Sequence, residues 1–457
     1  MKRREFIKKS VSAALSAAIG PSLVAKALGE NPDAVDNVVA GSVIDGAQSC
    51  AGKSGNPTNN VEKHLEVQGY VREPALNVPV VASADVIVIG GGAAGVASAV
   101  CAAREGASVI LVEKANFLGG LWTGGLVLPV LATHAVDKNG LEHRAMYGFG
   151  KELCDSLLDK GWAVNPRNPL VEPEAAKYLM DKVTMEAGVK MVYNAVASSV
   201  VMCGDRIEAV TVDCNTGRIA LKGKVFVDAS GDGCLFNFTG DPHEDRLYHI
   251  STSYRTGGSS SRKCGWKTPV DEMKFKTYGS RRPEDGLDIF RVSQLQQEHR
   301  IGVWNRVEEL KKDPECQNAY LMECAPVTGI RVTRVLDSLC NVTLEGSMEW
   351  QEYEDVIGYG GMCDPFNYKG QRITGKNRPL WQIPYRSLLP RKTENLLVAG
   401  RCFGYDQGIT WDAREISTCL TTGEAAGVGA AMAANLRCAA SEVPITQLQH
   451  KLNIQDR

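Results

Sequence analysis

The sequence predicts a mixed α/β fold built on a parallel sheet, and three observations carry that reading. A β-branched run, Asp85–Ile89, leads through a glycine-rich turn into a small-residue helical stretch, Ala93–Arg104. Strand-like runs then follow helical ones at Ser108–Val112 and at Val189–Tyr193. A last apolar run, Asn395–Gly400, resumes the pattern before a long alanine-rich helix that opens near Thr421-Thr422-Gly423.

The first unit is the most informative. Gly90, Gly92 and Gly95 fall on a G-x-G-x-x-G spacing between strand and helix. The first glycine allows a tight turn, the second lets backbone approach a pyrophosphate, and the third lets helix and strand pack closely. Ala93 and Ala94 start a helix whose free N–H groups and positive dipole end face that pyrophosphate. Glu113 closes the second strand, where a carboxylate accepts hydrogen bonds from a ribose, with Lys114 beside it. The motif alone is weak evidence. The agreement of strand, helix, second strand and terminal acid turns it into a Rossmann-type dinucleotide site.

At 457 residues, with 51 basic against 53 acidic side chains, the chain has ample core and no bulk field for nucleic acid or a membrane surface. Lys2-Arg3-Arg4-Glu5-Phe6-Ile7-Lys8 resembles a twin-arginine export signal. The apolar stretch Val11–Val24 and the Ala25-Lys26-Ala27 cleavage pattern follow it. The expectation is export to the periplasm or beyond, by a route that carries folded, cofactor-loaded proteins. Residues 28–70 then read as a flexible linker. Fourteen cysteines are scattered with no C-x-x-C, which argues against an iron–sulfur, zinc or thioredoxin-like centre; no metal site is expected. Cys316 with Cys324 is one local disulfide candidate.

Along the chain, Tyr147–Lys160 and Glu172–Ala187 read as amphipathic helices, the second with Pro173 at its start and Gly188 past its end. Ser198–Met202, Ile207–Val212 and Arg218–Leu221 alternate around turn residues and read as hairpins, before a strand at Lys224–Asp228. From Cys234 to Lys376 the pattern is mixed, with helical period mainly in Asp288–Lys312. This stretch reads as an inserted, mostly β substrate or cap domain. It divides a nucleotide-binding domain into residues 71–233 and 377–457.

Four segments together resemble the bacterial FAD-dependent oxidoreductases with one Rossmann domain. They are the nucleotide turn with LGGLWTGGLV after Glu113, then VFVDASGDG, TGIRVTR, and IPYRSLLPRKTENLLVAGR running on to TCLTTGEAAGVGAAMA. The resemblance implies non-covalent FAD in an α/β, FAD-binding fold. Its adenosine would lie at Gly90–Gly95 and Glu113, and its flavin or ribityl part over Gly119, Gly120 and Thr123. Asp232, Gly400 and Arg401 would complete the cradle, and a helix start at Thr422-Gly423 would meet the pyrimidine edge. A helix N-terminus there favours negative charge on the flavin. The sequence departs from the family between Phe403 and Glu415 and through the inserted domain, so substrate identity does not carry across.

No second G-x-G-x-x-G follows a strand, so electrons pass between the substrate, the flavin and a separate carrier such as a quinone or cytochrome. Arg331, Arg334, Arg401 and Arg414 are four cations in matched or neighbouring segments. Convergence of two would clamp an anion; pairing with acids such as Asp412 or Glu415 would make them structural. Arg401→Ala is expected to alter turnover more than folding. His134, Tyr405 and His249 are the candidates for proton transfer. The expected activity is hydride transfer between FAD and a small, anionic or sugar-like substrate. An electron-transfer subunit, a periplasmic reductase of an activated C=C bond and a non-redox Rossmann protein are the rivals. No G-x-S-x-G or H-E-x-x-H occurs, which argues against a hydrolase.

Overall fold

The computed structural model describes residues 61–270, 274–362, 366–374 and 377–454. The export signal and residues 28–60 of the linker lie outside the described residues. The linker's last turn does not read as free chain: His64 Nδ1 lies 2.8 Å from Asp285 and Nε2 lies 3.4 Å from Asp245.

The central sheet grows from β1 (Val80–Ile89), which pairs in parallel with β2 (Val109–Val112). β2 in turn pairs with β3 (Lys190–Val192). On the other side of β1, the chain folds β4 (Val196–Cys203), β5 (Arg206–Cys214) and β6 (Gly217–Asp228) as an antiparallel meander. From Ala220 to Asp228 β6 runs parallel to β1, and β10 (Leu396–Val398) closes the sheet beyond it. Residues 218–221 and 224–228, read as two strands, are one continuous strand. Residues 217–222 pair with β5 as the hairpin, and residues 220–228 pair with β1 in the parallel sheet. β1 also starts earlier than its apolar run, because Val80 reaches Ala220 across a register shift.

Helix α1 (Ala93–Arg104) covers one face of this sheet, with α2 (Gly148–Asp159) and α3 (Pro173–Glu186) beside it. Ten of the twelve residues of α1 are buried, which its run of small side chains permits. The long α5 (Ile416–Leu436) lies against α1 at backbone distance. A Cβ on Gly423 would stand 2.3 Å from the Ala94 carbonyl oxygen, and one on Gly427 would stand 2.2 Å from that of Ser98. The start of α5 is therefore Glu415-Ile416, and Thr422 and Gly423 lie inside it. The threonine–glycine cluster marks helix packing, not a helix end.

Between β6 and β10 a second sheet forms. β7 (Ile250–Gly257) sits at its centre, flanked by β8 (Lys274–Gly279) and β9 (Tyr320–Cys324), with Gly329–Ile330 pairing at its start. One cap helix, α4 (Ile289–Leu310), starts at Asp288, whose carboxylate accepts from the N–H groups of Phe290 and Arg291. It packs His299, Val303 and Val307 toward this sheet. Arg255 of β7 ties the cap sheet to the nucleotide half, reaching Glu172 at 2.8 Å and also Glu323. Cys316 meets Cys264, Sγ to Sγ at 3.2 Å, and not Cys324. Cys203 is disulfide-bonded. Among the described residues no helix is long and apolar enough to cross a membrane.

Candidate functional site

The glycine turn after β1 adopts the conformation its sequence demands. Gly90 has φ +99°, and a Cβ there would come within 2.4 Å of the Ala229 carbonyl oxygen. Gly95 brings α1 onto β1 so closely that a Cβ would stand 1.7 Å from the Gly90 carbonyl. Gly92 differs from both: its Cβ direction meets nothing within 4 Å. It is the N-cap of α1, no side chain caps that helix, and the open space in front of it is a cavity.

That cavity, about 480 Å³, is lined by Gly90, Gly92, Ala93, Ala94, Glu113 and Lys114 at the strand ends. Gly119, Gly120 and Trp122 line it from the second glycine loop. The loop is fixed by a hydrogen bond from Gly119 N to Gly91 O at 2.8 Å. Ser230, Gly231, Asp232, Gly400 and Arg401 form the floor beyond β6 and β10. Arg414, Ile416 and Cys419 bring the true N-terminus of α5 to the same space, and Val292, Gln296 and Pro326–Thr328 bring the cap. One cavity therefore touches both lobes. A second cavity of similar size, near Arg206 and Arg437, shares none of these lining residues.

Glu113 is buried, and its two oxygens accept from Gly91 N at 2.5 Å and Ala115 N at 2.7 Å. It shapes the turn as well as facing the cavity. Arg401 is a three-way latch: Nε donates to Gly231 O at 2.7 Å, Nη1 to Ile330 O at 2.5 Å, and Nη2 to Asp232 at 2.7 Å. It joins the end of β6 to the cap strand. Burial pushes the Asp232 pKa up, but the charges of Arg401 and Lys114, with hydrogen bonds from Arg401 and Thr333, outweigh it and hold the pKa below the usual range.

Several residues expected at the site are placed elsewhere. Thr123 is buried and donates to Leu118 O within its own loop. Thr422 accepts from Gly400 N at 3.0 Å, and with Gly423 it supports the site from behind. Tyr405 is buried under the Arg246 guanidinium, and its hydroxyl donates to Arg401 O at 2.7 Å. Burial pushes its pKa upward, and it does not line the cavity. His134 lies in a separate hairpin, 2.8 Å from Thr133 Oγ1, where burial and the nearby Arg144 and Arg167 lower its pKa. It does not line the cavity. His249 sits with Nδ1 3.4 Å from Ser280 O.

Sequence reasoning missed Tyr248 and Trp411. Their rings lie 5.5 Å and 4.8 Å from the Arg414 guanidinium and stack against it. Neither belongs to a motif, and they come from different lobes. The only available signal was the high aromatic and charged content of residues 403–415. Gly231 was also missed as a contact: a Cβ there would press on Arg401 Nε at 2.9 Å.

The cavity's donor set fits a dinucleotide. An uncapped helix N-terminus faces open space, an acid ends the second strand, and the buried Trp122 Nε1 on its wall has no hydrogen-bond partner among the described residues. Among the described residues no cluster fit to hold a metal ion occurs.

A family profile of the sequence agrees with this donor set. The sequence profile described as FAD dependent oxidoreductase matches residues 85–246 and 244–452. Among solved structures, a geranylgeranyl bacteriochlorophyll reductase-like protein from Thermoplasma acidophilum is 12% identical. The match covers 82% of this chain and 83% of that one, with a TM-score of 0.43. A p-nitrophenol 4-monooxygenase from Pseudomonas putida is 11% identical over 82% and 84%, also at 0.43. The flavin-dependent brominase Bmp2 is 13% identical over 81% and 83%, at 0.40. This chain belongs to the FAD dependent oxidoreductase family, is an FAD-dependent oxidoreductase, and takes FAD as its cofactor.

Proposed function

We propose that the protein is exported and transfers a hydride between FAD and a small polar organic substrate, exchanging electrons with a quinone, a cytochrome or another carrier. The observation that carries this reading is the shared cavity: cap residues Val292 and Gln296 line the same space as the nucleotide turn. Substrate held under the cap would then adjoin the cofactor directly. Bound FAD supplies the two-electron chemistry.

The chain's own residues do the rest. The uncapped N-terminus of α1 takes the pyrophosphate, and Gly92 leaves room for it. Glu113 and Lys114 take the ribose side of the cavity. The N-terminus of α5 at Ile416 opens on the same cavity and favours negative charge there. Arg401 holds the two lobes in register across the site by its bonds to Asp232 and Ile330.

The test is an anaerobic screen of small acids, sugars and activated alkenes against the FAD-loaded chain, watching the flavin band bleach or return. Bleaching by one class sets substrate and direction. If every small molecule reacts slowly while a carrier protein exchanges electrons rapidly, the chain is an electron-transfer subunit and the reading fails. Fractionation of cells expressing the full chain tests export: recovery in the periplasm is expected, and its persistence there after Arg3→Lys with Arg4→Lys contradicts the twin-arginine route.

A further inference from the structure

Resting on the export reading, we propose that Cys264 and Cys316 close into a disulfide in an oxidising compartment, and that this bond fixes the far end of α4, the helix that lines the cofactor cavity. The two thiols are 52 residues apart in the chain, and their sulfurs lie 3.2 Å apart. Cys264 ends one short turn, Arg262–Cys264, and Cys316 ends another, Pro314–Cys316. Polar contacts clamp these two turns together. Ser259 Oγ donates to Glu315 O at 2.8 Å, and Ser261 Oγ donates to Glu315 Oε2 at 2.9 Å. Lys263 Nζ reaches Asp313 at 2.6 Å and Glu315 at 3.3 Å. Groups other than the sulfurs therefore hold the thiols against each other. A bond of about 2.05 Å asks the sulfurs to close by little more than an ångström.

Burial gives the pair its consequence. Cys264 is 1% exposed and Cys316 0%, in a small cluster with Ala319 and Leu310. Leu310 is the last residue of α4, and Val292 and Gln296 of the same helix line the cofactor cavity. So few apolar side chains hold this corner weakly, whereas a bond across 52 residues removes much of the open chain's freedom. Burial, and then the hydrogen bond with Cys316, raises the Cys264 pKa, so thiolate is scarce while the turn is closed. Oxidation runs when the turn that carries the exposed Arg262 and Lys263 opens. One thiolate attacks the sulfur of a disulfide oxidant and displaces one thiol from it; the second cysteine then displaces the other. The two cysteines lose two electrons and two protons, and the oxidant becomes two thiols. The same burial shields the finished bond from reductants.

Cys264 and Cys316 fall in tryptic peptides 264–267 and 313–331, the second of which also holds Cys324. The FAD-loaded full chain is kept in oxidised glutathione until its free-thiol count is constant, then alkylated, digested without reduction and mapped by mass spectrometry. Chain from the periplasmic fraction is mapped alike without glutathione. The two peptides are expected to be joined in both samples, and in Cys324→Ser as well. On oxidation, hydrogen exchange across residues 289–310 should slow about threefold or more, and the thermal midpoint should rise by about 3–5 °C. Reduction should reverse both changes, and Cys264→Ser should show neither. The proposal is overturned if the peptides stay apart in glutathione, if peptide 313–331 closes on itself through Cys324, or if the bond forms with no change in exchange. If Cys264→Ser folds poorly, the reduced and oxidised parent decide between them. Recovery of the chain in the cytoplasm alone would strike the export reading instead, and the glutathione sample would still judge the bond.

Discussion

Gly92 and Gly95 lie three residues apart in one motif, yet they face opposite fates on substitution. A methyl at Gly92 meets nothing within 4 Å and the backbone is at φ −69°. Gly92→Ala should therefore melt like the parent without cofactor, while binding FAD at least about tenfold more weakly, because the methyl occupies the pyrophosphate's place. Gly95→Ala drives a methyl into the Gly90 carbonyl at 1.7 Å and should cost about 3 kcal/mol or more of folding stability. Full FAD retention in both variants would contradict the site; denaturant titration with and without FAD separates the two effects. Arg401 changes meaning at this scale. Removing its latch leaves Asp232 held only by Lys114 and Thr333 and frees the Gly231 and Ile330 carbonyls, so Arg401→Ala should cost about 1–3 kcal/mol of stability as well as altering turnover. The pair also sets a pH dependence. Because the folded-state pKa of Asp232 is depressed, its contribution is full above about pH 4 and is lost as pH falls through the folded value. The stability gap between the parent and Asp232→Asn should close below about pH 4, and a gap constant from neutral to acid pH would contradict the assignment.

Elements were legible wherever local pattern and final pairing agree. α1 and the strand at Val109–Val112 match their sequence signals closely, and Pro173 begins α3 as its position predicts. The failures have a common cause: a local signal was reused for a distant contact. Gly423 looks like a helix opening because small residues favour turns, but it is small so that α5 can touch α1. The consequence has a definite sign. Helix propensity alone makes Gly423→Ala and Gly427→Ala stabilising by about 1 kcal/mol each. The close approach to Ala94 and Ser98 makes each destabilising by about 1–3 kcal/mol. Chemical denaturation gives that sign directly, and stabilisation would show that the helices do not pack as described. Cys316 is a parallel case: sequence proximity suggested Cys324, whereas two turns far apart in the chain bring it to Cys264.

At the scale of the molecule, the nucleotide half of the cavity could be read from the sequence and the cap half could not. Gly90, Gly92, Glu113, Gly119 and Gly120 act through local backbone geometry, which spacing encodes. Arg331 and Arg414 could be named from matched or neighbouring segments, but Tyr248 and Trp411, whose rings flank Arg414, belong to no motif, and no spacing in the chain records their meeting. Tyr405 and His134 looked chemically apt, but their placement commits one to the Arg401 carbonyl and the other to a hairpin. The central claim is that one cavity between the lobes holds FAD at the uncapped start of α1. The most direct measurement is the absorbance spectrum of the purified chain with its released cofactor identified, taken beside that of Gly92→Ala. The account predicts stoichiometric FAD in the parent and little in a folded Gly92→Ala protein. A parent without flavin after reconstitution, or a variant that keeps it in full, would contradict the account.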